Sequence, residues 1–441
     1  MAVFEGAVRP DDVAAVTGHP DPLEVLCRLA EGSLLVAHTS GSHGRFGMLR
    51  TIRDRAAHLL AERGRVGELT RRHARHVAGA LAEADRDLRG PGESEARARI
   101  EELLDEARSA QAWAARHDLA LALRLCGSLY LFGQSGLRDE LLGWSAGLAD
   151  RVDESGGRDG ALVLTAAAQR AVNAGDLPAA LDLARRAVAL SDDGGTRALA
   201  CELVSDVHLF SGRLDDARSS ARAGLAAAEE AGDAHGVVAS LVNLALVASY
   251  GGDHAGAQRV LAAAPADPAL SPSDRAWLRY SEGEVVLDRD PDRALAALDD
   301  AATLAGAVGN RYLSGVARVS ATSLRARVGD PEPALRSFVE VIEHWRGRGD
   351  QPHQLTTLRN LVVLLQRLDA APEVAELLGA VEGGEVAPTF GEEAARLDSA
   401  RTWVVERLGA GEADRRAGTG RARTVDEAAE AALGWIATLR G

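Results

Sequence analysis

One local pattern recurs along most of this chain and sets what the chain can become. A Gly-Asp-like turn is followed five positions later by a small apolar residue. It appears at Gly136–Leu141, Gly175–Ala180, Gly212–Ala217 and Gly252–Ala257, in variant form at Arg289–Ala294 and Gly329–Ala334, and weakly from Asp369. Subtracting successive starts gives spacings of 39, 37, 40, 37, 40 and 40 residues. A fixed period of this length marks a stack of supersecondary units, none of which can bury its apolar face alone.

The chemistry of each copy is the same. Gly ends one helix because it tolerates the left-handed C-cap conformation, and Asp or Pro opens the next as N-cap or first-turn residue. After Gly212, Asp215 and Asp216 are expected to supply caps, and Leu214, Ala217, Ala221, Leu225 and Ala228 recur at helical spacing. Before Gly252, Val238, Leu241, Val242, Ala245 and Leu246 form the partner face. Two antiparallel helices per period, stacked side by side, predict an all-α chain, a right-handed α-solenoid. The pattern resembles a tetratricopeptide array with helices longer than the 34-residue standard. It departs from that pattern in lacking the Trp and Tyr signature positions and in losing Gly at Arg289 and Asp369. A HEAT-like array is the alternative.

The first 64 residues read differently. Short helices are expected over 11–17 and 22–31, a strand over Ser33–His38, a turn at Thr39–Gly44 and a return at Arg45–Met48. A helix from Leu49 to about Arg63 follows, then helix again over 65–117, broken at Gly90-Pro91-Gly92. Helix, helix, hairpin is the order of a winged-helix unit. The Gly-Pro-Gly break is the expected boundary with the solenoid. The domains read from sequence are therefore a truncated winged-helix-like unit over 1–64, a helical connector over 65–118, repeats over 119–410, and a loop with a capping helix over 411–441.

Composition excludes several chemistries. All 50 basic residues of the 441 are Arg, so the Lys of a phosphate-binding loop, a protein kinase or a Schiff-base enzyme is missing. A net charge of −15 argues against broad nucleic-acid coating. Cys27, Cys126 and Cys201 are too few and too widely spaced for a disulfide framework or a zinc site, and a reducing cytoplasm is the expected home. No apolar run reaches the ~20 residues of a membrane span, and no leader precedes Ala2-Val3-Phe4-Glu5.

Candidate sites are weighed against ordinary structural roles. His73 and His76, three apart, lack a local carboxylate or thiol and read as an exposed helix face rather than a metal site. Gly418-Thr419-Gly420 among arginines reads as a solvated loop rather than a phosphate cradle. Asp192-Asp193 and Asp299-Asp300 read as caps or surface acids. From Arg45 to His76 there are nine Arg against Asp54, Glu62 and Glu68, a local net of +6. Arg45, Arg50, Arg53 and Arg55 are thus candidates for contacting DNA phosphates or for docking another domain. In the repeats, Asn243, Tyr280, Ser320 and Asn360 share one register position with Ala166 and Leu203, and first helices of such repeats line the concave groove. These four are the candidate groove-binding residues. The six Trp are expected in the core.

Ala2-Val3-Phe4-Glu5-Gly6, Ser33-Leu34-Leu35-Val36 and Met48-Leu49-Arg50-Thr51-Ile52-Arg53-Asp54-Arg55-Ala56 together resemble one group of proteins. It is the segment following the nucleotide-binding domain in actinobacterial STAND regulators (signal-transduction ATPases with numerous domains). Arg71-Arg72-His73-Ala74 and Ala112-Trp113-Ala114 resemble its helical connector. Ala375–Ala380 and Thr424–Ala428 resemble the end of such regulators, after which a LuxR-type helix-turn-helix follows in some. The resemblance implies a non-enzymatic sensor or scaffold arm of a transcriptional regulator. It would bind a small-molecule effector, a peptide or a partner protein in the solenoid groove and act on a STAND ATPase domain in cis or in trans. No such ATPase domain is encoded in these residues, and the first winged-helix segment would lie ahead of Met1. No cofactor, metal or membrane is implied. The alternative is a winged-helix DNA-binding regulator with a repeat interaction tail.

Overall fold

The computed structural model describes residues 1–38, 44–153, 156–265, 267–382, 389 and 392–440. Residues 1–62 make a small α+β unit. Helices α1 (Pro10–Thr17) and α2 (Pro22–Glu31) precede an antiparallel hairpin of β1 (Val36–His38) and β2 (Arg45–Gly47), and α3 (Arg50–Glu62) follows. Val36 faces Gly47 and His38 faces Arg45, while Val8 bridges Phe46 from the other side. The first strand is shorter than expected. Ser33 adopts φ +58° and its amide closes the end of α2 on Ala30, so extension begins only at Val36. The turn read at Thr39–Gly44 lies, but for Gly44, outside the described residues. Phe4, Val8, Val13, Val16, Leu26, Leu35 and Phe46 form this unit's own core.

Helices α4 (Val66–Asp87) and α5 (Glu93–His117) follow. Gly90-Pro91-Gly92 is the turn of their antiparallel hairpin, not a domain boundary. Pro and Gly do break the helix there, but Ala74, Val77, Leu81, Ile100, Leu104 and Ala107 share one buried cluster that runs on into the next helices. Those are α6 (Leu119–Gly127), α7 (Tyr130–Ser135) and α8 (Asp139–Ala146).

The regular array comes next. Its pairs are α9 (Gly157–Asn173) with α10 (Leu177–Leu190), α11 (Gly194–Phe210) with α12 (Leu214–Ala231), and α13 (Ala234–Tyr250) with α14 (His254–Ala262). Then come α15 (Pro272–Val286) with α16 (Pro291–Ala307), α17 (Arg311–Arg327) with α18 (Pro331–Trp345), and α19 (Gln351–Arg367) with α20 (Ala371–Glu382). Helices α21 (Glu392–Leu408), α22 (Ala410–Arg421) and α23 (Val425–Arg440) cover the end. The chain is an α-solenoid of tetratricopeptide-like helix pairs with a small α+β unit at its start.

The turns behave as their chemistry dictates. Gly175, Gly212, Gly252 and Gly329 take φ between +71° and +85°, a region closed to most side chains. Asp176, Asp253, Asp290 and Asp330 each accept a first-turn amide. Where Gly is lost, two solutions appear. Asp369 itself adopts φ +59°. At Arg289 no left-handed step occurs, because the Asp290 amide still reaches the Val286 carbonyl at 2.9 Å. Asp215 and Asp216 are not caps: α12 starts at Leu214, and both stand in its first turn, favoured by the helix dipole, with Asp215 bound to Arg218 at 2.7 Å.

Gly418-Thr419-Gly420 is not a loop, and residues 411–441 hold two helices. Both glycines lie inside α22, where a Cβ on Gly420 would fall 1.8 Å from the Glu376 carbonyl oxygen of α20. Reciprocally, a Cβ on Gly379 would meet the Ala417 carbonyl at 2.0 Å. These glycines exist for backbone-to-backbone packing.

In a simple solenoid each repeat touches only its neighbours. Here α9 also packs against α19 and α7 against α17. The array curls until its ends meet around a central space. A buried polar seam closes it: the Ser273 amide and hydroxyl on α15 donate to Glu93 of α5 at 2.8 and 2.5 Å. Arg97 donates to the same carboxylate at 2.9 Å, and Asn310 donates to the Ser273 hydroxyl at 2.9 Å.

Candidate functional site

The curled array forms a cavity of about 610 Å³ that is partly open to solvent. Its walls come almost entirely from the first helix of each pair, because those helices face the axis of the curl while the second helices form the outer layer. A volume in the range of 300–1,000 Å³ is that of small-molecule sites.

Asn243, Tyr280, Ser320 and Asn360 all line this cavity, as does Leu203 of the same register; Ala166 is buried instead. Equal repeat positions on successive first helices point to one axis. Asn243 donates to Asp206 at 2.9 Å, and Asn360 accepts from Ser323 at 2.9 Å.

Residues missed by the sequence reading matter more. Glu202 and Asp206 lie four apart on α11, hence on one face, and both line the cavity. Burial pushes both carboxyls above the ordinary range, and at Asp206 repulsion from Glu202 adds to it. His235 binds Asp274 at 2.7 Å. Burial would lower the His235 pKa, yet the Asp274 carboxylate outweighs it and pushes it up to about 9. Tyr250 donates to Glu284 at 3.1 Å, and burial raises the Glu284 carboxyl.

The aromatic content is the second feature. The chain has only four tyrosines, Tyr130, Tyr250, Tyr280 and Tyr312, and all four line the cavity with Trp277. Trp277 lies 5.6 Å from Tyr280 and 6.2 Å from Tyr312, ring to ring, and Tyr312 meets His353 edge-on at 5.2 Å. His353 stacks on fully buried Trp345 at 4.8 Å and touches Phe210 of α11 at 5.9 Å, a contact across the curl. Trp345 therefore packs in the core as expected, whereas Trp277 faces the cavity.

The arginine patch is largely used within the chain. Arg45 pairs with Glu102 of α5 at 3.1 Å, and Arg53 pairs with Glu5 at 3.1 Å and donates to the Met48 carbonyl at 3.3 Å. Arg50 and Arg55 are exposed on α3. His73 is not an exposed helix residue. It is 1% exposed and bonds Glu106 at 2.7 Å, while His76 bonds Asp12 at 2.8 Å. Both carboxylates come from distant segments, which local spacing cannot reveal. Among the described residues no group of His, Cys, Asp and Glu could hold a metal ion, and no helix is long and apolar enough to cross a membrane.

Fold and cavity together define a curled helical-repeat chain built around a ligand-sized internal space. No family model matches the sequence, and no curated protein matches it. Among solved structures it is similar to the crystal structure of a signal transduction ATPase with numerous domains (STAND) protein with a tetratricopeptide repeat sensor from Pyrococcus horikoshii. The TM-score is 0.47 and the identity 11%, covering 100% of this chain and 61% of that one. The chain thus spans less than two thirds of that protein's length.

Proposed function

We propose that this chain is a non-enzymatic sensor and scaffold that binds a small-molecule effector in its central cavity. It passes occupancy on to partner domains, an ATPase and a DNA-binding unit of the kind the sequence resemblance implies. The central cavity carries the reading: it gathers all four tyrosines and several carboxylates in its lining. A ligand bridging α11 to α19 would tighten the curl and so alter the outer surface.

A melting-shift screen with small polar and aromatic metabolites tests this, run on the wild type and on Asn243→Trp, which fills the cavity. A ligand at 100 times its Kd should stabilise the wild type by about 2.7 kcal/mol and leave the filled variant unmoved. Stabilisation that survives the filling, or turnover of any compound, would sink the reading. Titration calorimetry with Mg-ATP should give no saturable heat, since no Lys-bearing phosphate loop exists.

For residues 1–62 we favour a docking role over DNA contact, because Arg45 and Arg53 are already paired inside the chain. Salt-dependent gel shifts that collapse on substituting Arg50 and Arg55 would reverse that preference.

A further inference from the structure

Resting on the sensor reading, we propose that the ligand is a small organic cation. Its ammonium or guanidinium group is held by Glu202 and Asp206, and its carbon skeleton lies against Tyr130, Tyr312 and Trp277.

The carboxylate pair is the first observation. Like charges four apart on one helix face repel, and burial makes this worse. The chain answers it only at a distance: the His235 and Arg89 charges act on Glu202 without a hydrogen bond to it. Asp206's hydrogen bond is to the neutral amide of Asn243, and Glu202 has no hydrogen-bond or ion-pair partner among the described residues. His235, the adjacent cation, is held by Asp274 at 2.7 Å. On the α19–α21 side of the same cavity the charges are matched instead: Arg396 lies 3.5 Å from Asp288 and Arg359 3.6 Å from Glu393. A carboxylate pair with no cation bonded directly to it is the place a ligand cation would complete.

Glu284 is an independent observation. Tyr250 donates to one of its carboxylate oxygens, the Ser320 hydroxyl lies beside the carboxylate, and Oε1 is buried without a hydrogen bond of normal geometry among the described residues. A second cavity carboxylate thus has acceptor capacity to spare, which suits a ligand with more than one N–H donor. The aromatic wall is the third. Tyr130 and Tyr312 lie close enough to Glu202 and Asp206 to feel their charge, and ring faces attract cations by roughly 0.5–2 kcal/mol each. An anion would face the same acidic pair, and a neutral ligand would leave its repulsion in place. The contacts of α9 with α19 and α7 with α17 close the curl beside this partly open space, whose 610 Å³ suits a free small molecule.

The test is a Trp fluorescence titration of the full chain with spermidine, agmatine and phenethyltrimethylammonium. Neutral N-butylurea, anionic glutarate and a capped Ala-Arg-Ala peptide are the comparison arms. At least one cation should saturate with at least tenfold tighter binding than the neutral compound. Glu202→Gln with Asp206→Asn should lose tenfold or more, and Tyr312→Leu about threefold. A melt without ligand keeps the result interpretable if the variant is disturbed. Carboxyls whose folded pKa is raised destabilise increasingly as pH rises through it, so the double variant should melt above the wild type at pH 8, with the gap shrinking by pH 5. A double variant that melts below the wild type, binding by the peptide alone, or no cation binding would each overturn the proposal. Saturation by the neutral or anionic compound alone would overturn the cation and leave the cavity as a binding site. Silence from every compound would count against both readings.

Discussion

Helix α5 carries one buried glutamate at its start and another at its middle, and the two do different work. Glu93 closes the solenoid: it receives the Ser273 amide and hydroxyl from 180 residues away, with its charge balanced by the Arg97 guanidinium. Glu106 fastens the first 62 residues: it receives the Glu5 and Gly6 amides at 2.9 and 2.7 Å and bonds His73 at 2.7 Å. One junction joins parts of a continuous repeat array. The other joins a unit with its own core to the array through polar contacts, the kind of interface across which domains move. The difference teaches where a signal from the cavity can be felt. A change in curl would strain the Glu93 seam directly, and the continuous helix α5 connects that seam to the one at Glu106.

The largest effect expected is from Glu93→Ala. It leaves Arg97 and the Ser273 donors buried without their acceptor, a loss of about 4 kcal/mol for a broken buried pair. Because the seam ties α5 to α15 across the curl, scattering should also show a larger radius of gyration. A compact Glu93→Ala protein would mean that the helix contacts alone close the array. Glu106→Ala should cost about 3 kcal/mol by the same reasoning, but locally. Amide exchange should rise across residues 1–62 and stay unchanged in α9 to α20. Uniform acceleration would show that the two junctions are one cooperative unit.

Acid sharpens the contrast further. Burial works to raise the Glu106 carboxyl, but the His73 bond and the two amides prevail and hold it below its ordinary 4.5. A depressed folded pKa contributes stability above the ordinary value and loses it as pH falls through the folded one. Residues 1–62 should therefore loosen in amide exchange below about pH 4.5 before the array does. Simultaneous loss would erase the distinction.

The reach of the sequence follows from the range of the physics. The repeat turns are legible because each is local, a left-handed Gly beside an Asp whose carboxylate reaches three residues on. Asn243, Tyr280, Ser320 and Asn360 could be grouped because a regular superhelix turns equal positions to one axis. Glu202 and Asp206 could not, since the same acids at Asp193 and Asp299 serve as a cap and a surface ion pair. Only the curl, which the period does not encode, turns α11's acids inward. His73 failed for a related reason: its partner Glu106 is 33 residues away on another helix. Gly420 misled because glycine has two uses, and the one realised depends on how closely α20 approaches.

The smallest effect concerns the outer contact of the same junction. Asp12 binds His76 at 2.8 Å and also accepts the Arg9 amide at 3.0 Å, closing the start of α1. Both side chains of the pair keep about a quarter of their surface in solvent, 28% and 25%, so solvent screens the charge term and little of it survives as stability. Burial opposes ionisation of Asp12, and the His76 bond outweighs it, so the carboxyl stays below its ordinary 3.8 and its contribution persists down to that range. Asp12→Ala should then cost about 1 kcal/mol, close to the cost of losing an N-terminal cap. Asp12→Asn, which keeps an acceptor for the Arg9 amide, should cost less than half of that. Denaturant midpoints of the two variants give the comparison. Equal losses would place the energy in the His76 ion pair rather than in the start of α1, and solvent screening would then be weaker at this edge than its exposure implies.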